Sequence, residues 1–406
     1  MKFHSDHTDH PPNYSSNRAG DHSDIVIVGA GPAGAMTALL LAQRRPDLTI
    51  TLFDAAAQPQ AKPCGEFLSP DGLRVLALAG IEDAVMATGA YPLTGLNLMG
   101  PHGGVCADYY PLFGRQPFHR YGVGIRRERF DGVLQTAASR HLLLKRDTRL
   151  VGMERTSDGW SLRLRQAAHD IHLGCRIVVG ADGRLSSVRR SAGLDRPSTR
   201  KRFALVCRAT GIPHGPHGEM HLGPVGQLGL APLGEGQVNL NLLIAETSRG
   251  LLRHLTPGQL MRAALRATPS LRERTVGALL GPVQATGSLP QGSHAVIADG
   301  LALVGDAAGF CDPFTGEGIC FALQGAEALA ETLATVPTRG PVSTAALMPY
   351  AKAYRRRCGW RRSLGERLQW LLLRRGLSEQ LVAGLGRSQF LSRALVAMNG
   401  GYVSLK

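Results

Sequence analysis

The sequence has no run approaching the ~18 consecutive apolar residues that a membrane-spanning helix requires, which argues against an integral helical membrane protein. It also has no Cys-x-x-Cys. The seven cysteines, Cys64, Cys106, Cys175, Cys207, Cys311, Cys320 and Cys358, are odd in number and scattered. This distribution speaks against a disulfide framework and a zinc knuckle, so reduced thiols and no metal site are expected. The N-terminus lacks the charged, apolar, small order of a secretory signal, and residence in the cytosol is the expectation. Acidic residues are scarce beside basic ones, 31 against 46, leaving a net charge of +15. Such a charge suits nucleic acid or an anionic membrane surface. No nucleic-acid recognition motif accompanies it, so no nucleic acid is expected, and arginines spread over the surface account for it equally well. Only one Gly-x-Gly-x-x-Gly occurs, which leaves no second dinucleotide domain.

That one motif sits in the stretch on which the rest depends, Asp24 to Asp54. A short β-branched run ends at Val28, Gly29-Ala30-Gly31-Pro32-Ala33-Gly34 follows, Ala35 to Gln43 has helical spacing, and Leu48 to Phe53 is strand-like again. This is a βαβ unit. Gly29 permits the tight turn, Gly31 lets a pyrophosphate approach the backbone, and Gly34 allows close helix-sheet packing. The phosphates then face the positive end of a helix, and Asp54 can accept hydrogen bonds from a ribose diol. The stretch predicts an adenine dinucleotide but leaves NAD(P) and FAD both open.

Further along, Cys64-Gly65-Glu66 lies on a loop leaving the edge of this unit, and Ser69-Pro70 opens a helix with Leu73, Leu76 and Leu78 on its apolar side. Residues 91–124 read as short strands, with a hairpin connection at Pro101 to Gly104. Residues 130–139 are expected to form a helix with Phe130, Val133 and Leu134 on one face. Arg176 to Arg190 reads as strand, Asp182-Gly183 turn, and serine-capped helix. From Phe203 to Ala245 strand-like pieces follow one another without helices between them, as in an antiparallel sheet. Leu301 to Gln324 then delivers Asp306 from a strand into a loop of small residues, with a long helix from near Gly316 through Ala334.

The expected organisation is α/β: a leader at 1–23, nucleotide-domain segments at 24–90, 125–200 and 291–345, sheet-domain segments at 91–124 and 201–290, and a basic helical region at 346–406. In the leader, His4, His7 and His10 read as a flexible polar tail. A cleft where the two domains meet is the expected substrate site.

The three stretches, in this order, resemble the FAD-dependent class that contains para-hydroxybenzoate hydroxylase and the geranylgeranyl reductases. GAGPAG matches its first fingerprint, GADGRLSSVRR its Asp-Gly motif, and GDAAGFCDPFTGEGICFAL its Gly-Asp motif. The resemblance implies a Rossmann-like FAD-binding domain interleaved with an antiparallel-sheet substrate domain, followed by C-terminal helices. It implies that Gly29, Gly31, Pro32, Ala33, Gly34 and Asp54 hold the adenosine end, and that Asp182 and Gly183 lie near the pyrophosphate. Gly305 and Asp306 would bind the ribityl chain, with Pro313, Gly316, Glu317, Gly318 and Ile319 around the flavin ring. Arg127, in Arg-x-x-Phe-Asp, matches the class's FAD-contacting arginine. KPCGEFLSP and DPFTGEGI look most like the reductase branch, whereas hydroxylases more often carry His where Gly309 stands. The Tyr-x-Trp-x-Phe-Pro element of isoprenoid reductases and the Trp-x-Trp-x-Ile-Pro element of flavin halogenases are both absent.

These features imply an oxidoreductase with FAD and NAD(P)H as a transient electron donor, acting on a lipophilic isoprenoid-, polyketide- or aromatic-like small molecule. C=C reduction leads and hydroxylation is the alternative. The flavin carries the redox chemistry, so no protein nucleophile is expected. Reduction needs a proton from a nearby acid, for which Cys64 and Glu66 are the candidates. Finally, Ala351 to Arg375 combines eight arginines with Trp360, Leu364, Leu368 and Trp370. It reads either as a helix packed on the sheet domain or as a peripheral contact with the inner face of an anionic membrane.

Overall fold

A computed structural model describes residues 22–196, 202–245, 250–251, 253–289, 292–310, 316–372 and 375–402. His4, His7, His10, Cys311 and Pro313 fall outside them. The opening β-branched run forms β1 (His22–Val28), with Ile25, Val26 and Ile27 no more than 1% exposed. Gly29 turns the chain at φ +102°, where a Cβ would come within 2.4 Å of the Ala181 carbonyl oxygen, so glycine alone fits. Helix α1 (Pro32–Arg44) starts with proline at its first position and is buried from Ala33 to Ala42. Its lack of a polar face follows from being covered on both sides.

β2 (Ile50–Phe53) pairs parallel to one side of β1, and β3 (His169–Gly180) pairs parallel to the other, with Val26 opposite both Thr51 and Val178. Helix α2 (Arg127–Ser139) starts three residues earlier than the sequence suggests, so Arg127 is its first residue. The strand Leu301–Leu303 extends the sheet beyond β3, and helix α3 (Gly318–Ala334) packs on it, buried along almost its whole length. The carboxyl ends of β1, β3 and Leu301–Leu303 thus converge beside three turns, the usual location of a ligand in an open α/β sheet.

The second sheet contains β4 (Arg202–Thr210), β5 (His217–Leu222), β6 (Gln227–Gly234) and β7 (Gln237–Ala245), in the order β4-β7-β6-β5. All three of these pairings are antiparallel. The strand Gly95–Gly100 adds to β5 in parallel and carries the hairpin strand Gly103–Asp108. Only Pro101 and His102 form the connection, since Gly103 and Gly104 are already in the strand. Tyr91–Leu93 and Gly122–Gly124 instead form a separate small sheet with Phe67–Leu68. In β7 the even positions Val238, Leu240, Leu242 and Ile244 pack against Leu260, Met261, Ala264 and Leu265 of the helix Pro257–Ala267. The odd positions Asn239 and Asn241 turn the other way, toward the nucleotide domain.

Two expectations are corrected. Leu78 is 48% exposed, and the buried side of its helix is Leu73, Val75 and Leu76, because at about 100° per residue Leu78 falls nearly opposite Leu76. The stretch 351–375 is not one helix. Helix α4 (Thr344–Tyr354) passes through a π turn at Arg355–Gly359 into α5 (Trp360–Leu372), followed by α6 (Arg375–Arg387) and α7 (Gln389–Asn399). The wider π turn rotates α5 relative to α4, so that Trp360, Arg361 and Leu364 face the molecule's interior.

Candidate active site

A cavity of about 630 Å³ runs along the carboxyl ends of the parallel strands. Gly29, Gly31, Pro32, Ala33 and Asp54 from the first motif, Arg127, Asp182 and Gly183, and Gly305, Asp306, Gly316, Gly318 and Ile319 all line it. Two residues expected here are elsewhere. Gly34 packs on Gly29, where a Cβ would stand 1.8 Å from the carbonyl oxygen. The Glu317 side chain belongs to a neighbouring cavity, on the other side of the Gly316–Gly318 backbone.

The wall suits a dinucleotide. A Cβ on Gly31, Gly183 or Gly318 would meet nothing within 4 Å, so the backbone is open to a close-lying ligand at each position. Asp182 accepts from the Ser187 and Val188 amides through Oδ2, while its buried Oδ1 has no partner. A buried acceptor without a donor is costly and marks where a ligand hydroxyl or amide would sit. Asp306 is half-buried, and burial raises its carboxyl to about 6 although Arg127, Arg184 and Arg189 oppose that rise. Arg189, 1% exposed, ties the last two motifs together by donating to the carbonyls of Arg184 and Ala307 and to Asp195. Lys62, Arg149 and Arg184 add positive charge to the same wall. Asp54 takes the amide of Ala30 on Oδ2 (2.8 Å) and that of Ala56 on Oδ1 (2.8 Å), so it braces the glycine turn from the cavity's edge.

Arg127 grips Asp131 one helical turn away with two 3.0 Å hydrogen bonds. Burial works against its charge, but Asp131 and the Cys64 sulfur hold its pKa raised. Beside it, Glu66 is 2% exposed and has a left-handed backbone, φ +53°. Its Oε1 accepts the Arg127 amide at 2.9 Å and the Arg208 Nη2, and its Oε2 accepts Arg208 Nε and Asn239 Nδ2, each at 3.0 Å. Four donors fill the carboxylate, so neither oxygen is free to pass a proton to a substrate. Arg208 also binds Glu128, whose pKa burial would raise but Arg208 brings down. Cys64 is half-buried on the cavity wall, where its Sγ accepts a hydrogen bond from the Glu66 amide at 3.4 Å and also interacts with the Arg127 guanidinium.

A second cavity of about 170 Å³ adjoins the first, with Gly65, Phe67, Asn241 and Gly316 in both walls. Its lining is mostly apolar: Leu96, Leu98 and Val105 from the sheet, Trp360 and Leu364 from α5, and Leu395, Val396 and Met398 from α7. Polar residues interrupt it, among them Glu317, Arg361 and Asn241. Glu317 and Arg361, both nearly buried, form an ion pair, and Arg361 also donates to the Asn399 carbonyl at 3.0 Å. Asn241, 5% exposed, has a side-chain oxygen with no hydrogen-bond partner.

The sequence profile of the family described as FAD binding domain matches residues 22–361, which include every segment of the larger cavity. The chain belongs to this FAD-binding family. The protein is accordingly an FAD-dependent oxidoreductase, and NAD(P)H is the electron donor typical of its family. Digeranylgeranylglycerophospholipid reductase 1 of Methanothermobacter thermautotrophicus is 28% identical over 349 residues, 83% of either chain. The menaquinone reductase of Mycobacterium tuberculosis is 29% identical over 332 residues, 77% of either chain. Among solved structures, a flavoprotein/dehydrogenase from Cytophaga hutchinsonii superposes with a TM-score of 0.80 over 93% of both chains at 19% identity, a likeness of fold.

In this FAD-binding protein several site residues escaped the sequence reading. Arg208 and Asn239 reach Glu66 from strands more than 140 residues away, and no local pattern announces that contact. Asn239 and Asn241 did leave a trace: two amides at period two inside an apolar strand, QVNLNLLIA, mark a face that meets something polar. Trp360 and Leu364 at the cavity agree with the packed-helix alternative for this stretch, whereas nothing in composition signals that Arg361 turns inward as well.

Proposed function

We propose that the protein reduces a carbon-carbon double bond in a lipophilic isoprenoid-, polyketide- or aromatic-like small molecule held in the smaller cavity. The observation that carries this reading is the adjacency of that apolar cavity to the dinucleotide cavity at Gly316, with Gly65, Phe67 and Asn241 between them. Bound FAD supplies the two-electron redox couple. The chain's residues do the rest. Gly31 and the amino end of α1 would hold the pyrophosphate, Asp54 and Asp306 would accept ribose and ribityl hydroxyls, and the amino end of α3 would favour negative charge on the ring. Apolar side chains from β6, α5 and α7 exclude water from the reacting carbons.

The proton for the second carbon is assigned to the Cys64 thiol. It lines the larger cavity next to Gly65, which borders both cavities, whereas Glu66 is filled by four donors and Glu317 is paired with Arg361. Glu66 acts by holding the loop to α2 and to the sheet. The two similar proteins named as reductases, of a digeranylgeranylglycerophospholipid and of menaquinone, support this reading. Anaerobic incubation of NADPH- or NADH-reduced protein with unsaturated candidates should give products that gain two hydrogens. A product gaining one oxygen, formed only in air, would replace this reading with hydroxylation.

A further inference from the structure

Helix α7 carries two kinds of apolar residue. Leu395, Val396 and Met398 at its far end line the smaller cavity, while Phe390 and Leu391 at its start are 52% and 44% exposed. Phe390 does not stand alone in solvent. The Phe113 ring meets it edge-on at 5.5 Å, itself 69% exposed and carried at φ +52°, a left-handed backbone seldom taken by a bulky residue. Tyr110, 43% exposed, lies nearby, with the guanidinium groups of Arg120 and Arg393 5.9 and 5.8 Å from its ring centre. Exposed aromatics grouped in this way mark an interaction site rather than ordinary surface.

We propose that this face, built from the loop 110–120 and the start of α7, docks on an anionic lipid bilayer and admits a lipophilic molecule along α7 to the cavity. The charge of the patch selects this occupant. Arg115, Arg120, Arg387 and Arg393 are all exposed there, and neither Tyr109–Tyr121 nor Val382–Tyr402 contains a single Asp or Glu. Aromatic side chains that enter the headgroup layer beneath a ring of arginines match the polarity profile of such a surface. The expected contact therefore moves from Ala351–Arg375, whose Trp360 and Leu364 face inward, to this neighbouring face.

The inference rests on the substrate being lipophilic, but vesicle binding is read without turnover, so the two can fail separately. The FAD-loaded protein should float with vesicles of phosphatidylglycerol and phosphatidylcholine, remain in solution with phosphatidylcholine alone, and be released in high salt. The Phe113→Ser/Phe390→Ser variant should bind about tenfold more weakly or less, since it removes most of the apolar insertion. An Arg120→Glu/Arg393→Glu variant should lose binding too, which provides a second test should the first fold poorly. An unchanged flavin spectrum and thermal midpoint identify folded variants. Failure of the parent protein to bind anionic vesicles, equal binding to neutral ones, or parent-like binding by the folded variants would overturn the proposal.

Discussion

Arg208 of the antiparallel sheet grips the carboxylate of Glu66, 142 residues earlier, with Nε 3.0 Å from Oε2. The pair fastens the substrate sheet to the loop that borders both cavities. Without Glu66, Arg208 keeps its pair with Glu128, but the Arg127 amide and the Asn239 side-chain amide lose their acceptor, and a buried donor left unsatisfied costs about 1–3 kcal/mol. Glu66→Ala should therefore lower the unfolding free energy in urea by about 1–3 kcal/mol. Glu66→Gln, which keeps the shape and some of the hydrogen bonds, should lose distinctly less. Equal stability of Glu66→Ala and the parent protein would show that the pair is not structural.

The two inner glycines of the first motif should fail in different ways. A Cβ on Gly31 points into the open cavity, so Gly31→Ala should leave the thermal midpoint of the flavin-free protein unchanged and weaken FAD binding. A Cβ on Gly34 would stand 1.8 Å from the Gly29 carbonyl oxygen. Gly34→Ala should therefore destabilise the fold itself, by about 1–3 kcal/mol or more as overpacking does. Differential scanning with and without FAD separates the two effects.

Cys64→Ala should retain FAD and accept electrons from NAD(P)H at the parent rate, but its turnover should fall by about 10²-fold or more, as loss of a general acid does. Stopped-flow measurement of flavin reduction and of reoxidation by substrate checks the two halves independently. A slow reductive half would place Cys64 in cofactor binding instead.

Asp306 gives a pH test with a definite sign. Its folded pKa of about 6 lies above the usual 3.8, so the folded flavin-free protein keeps a proton that the unfolded chain gives up. That penalty is absent below pH 4, grows as pH rises toward 6, and is complete above it. Asp306→Asn should therefore stabilise the flavin-free protein at pH 7, by no more than about 2 kcal/mol since the site is only half-buried, with the gain fading toward pH 4. The same variant should hold FAD less tightly. Urea titrations at both pH values and FAD titration read the two effects.

The nucleotide domain was legible because its chemistry is local. A glycine turn needs positive φ at Gly29, and a strand end needs an acid at Asp54, Asp182 and Asp306, so short motifs declare them. The substrate side was not, because it is built at long range. Glu66 looks like a free acid in Cys64-Gly65-Glu66 until Arg208 and Asn239 arrive from distant strands. Glu317 shares a motif with Gly316 and Gly318, yet its side chain crosses to the smaller cavity, where Arg361 neutralises it. Trp360 suits the packed-helix alternative, but the inward turn of Arg361 shows only once the π turn at Arg355–Gly359 is in place.

The central claim, that the protein uses FAD to saturate a carbon-carbon double bond, is tested most directly by one anaerobic experiment. Protein reduced with NADPH or NADH is mixed with an unsaturated lipophile, and the flavin spectrum and product mass are followed together. Reoxidation of the flavin without oxygen, with one saturated product formed per flavin, is the result predicted. A flavin that stays reduced until air is admitted, with product formed only then and carrying one added oxygen, would contradict it.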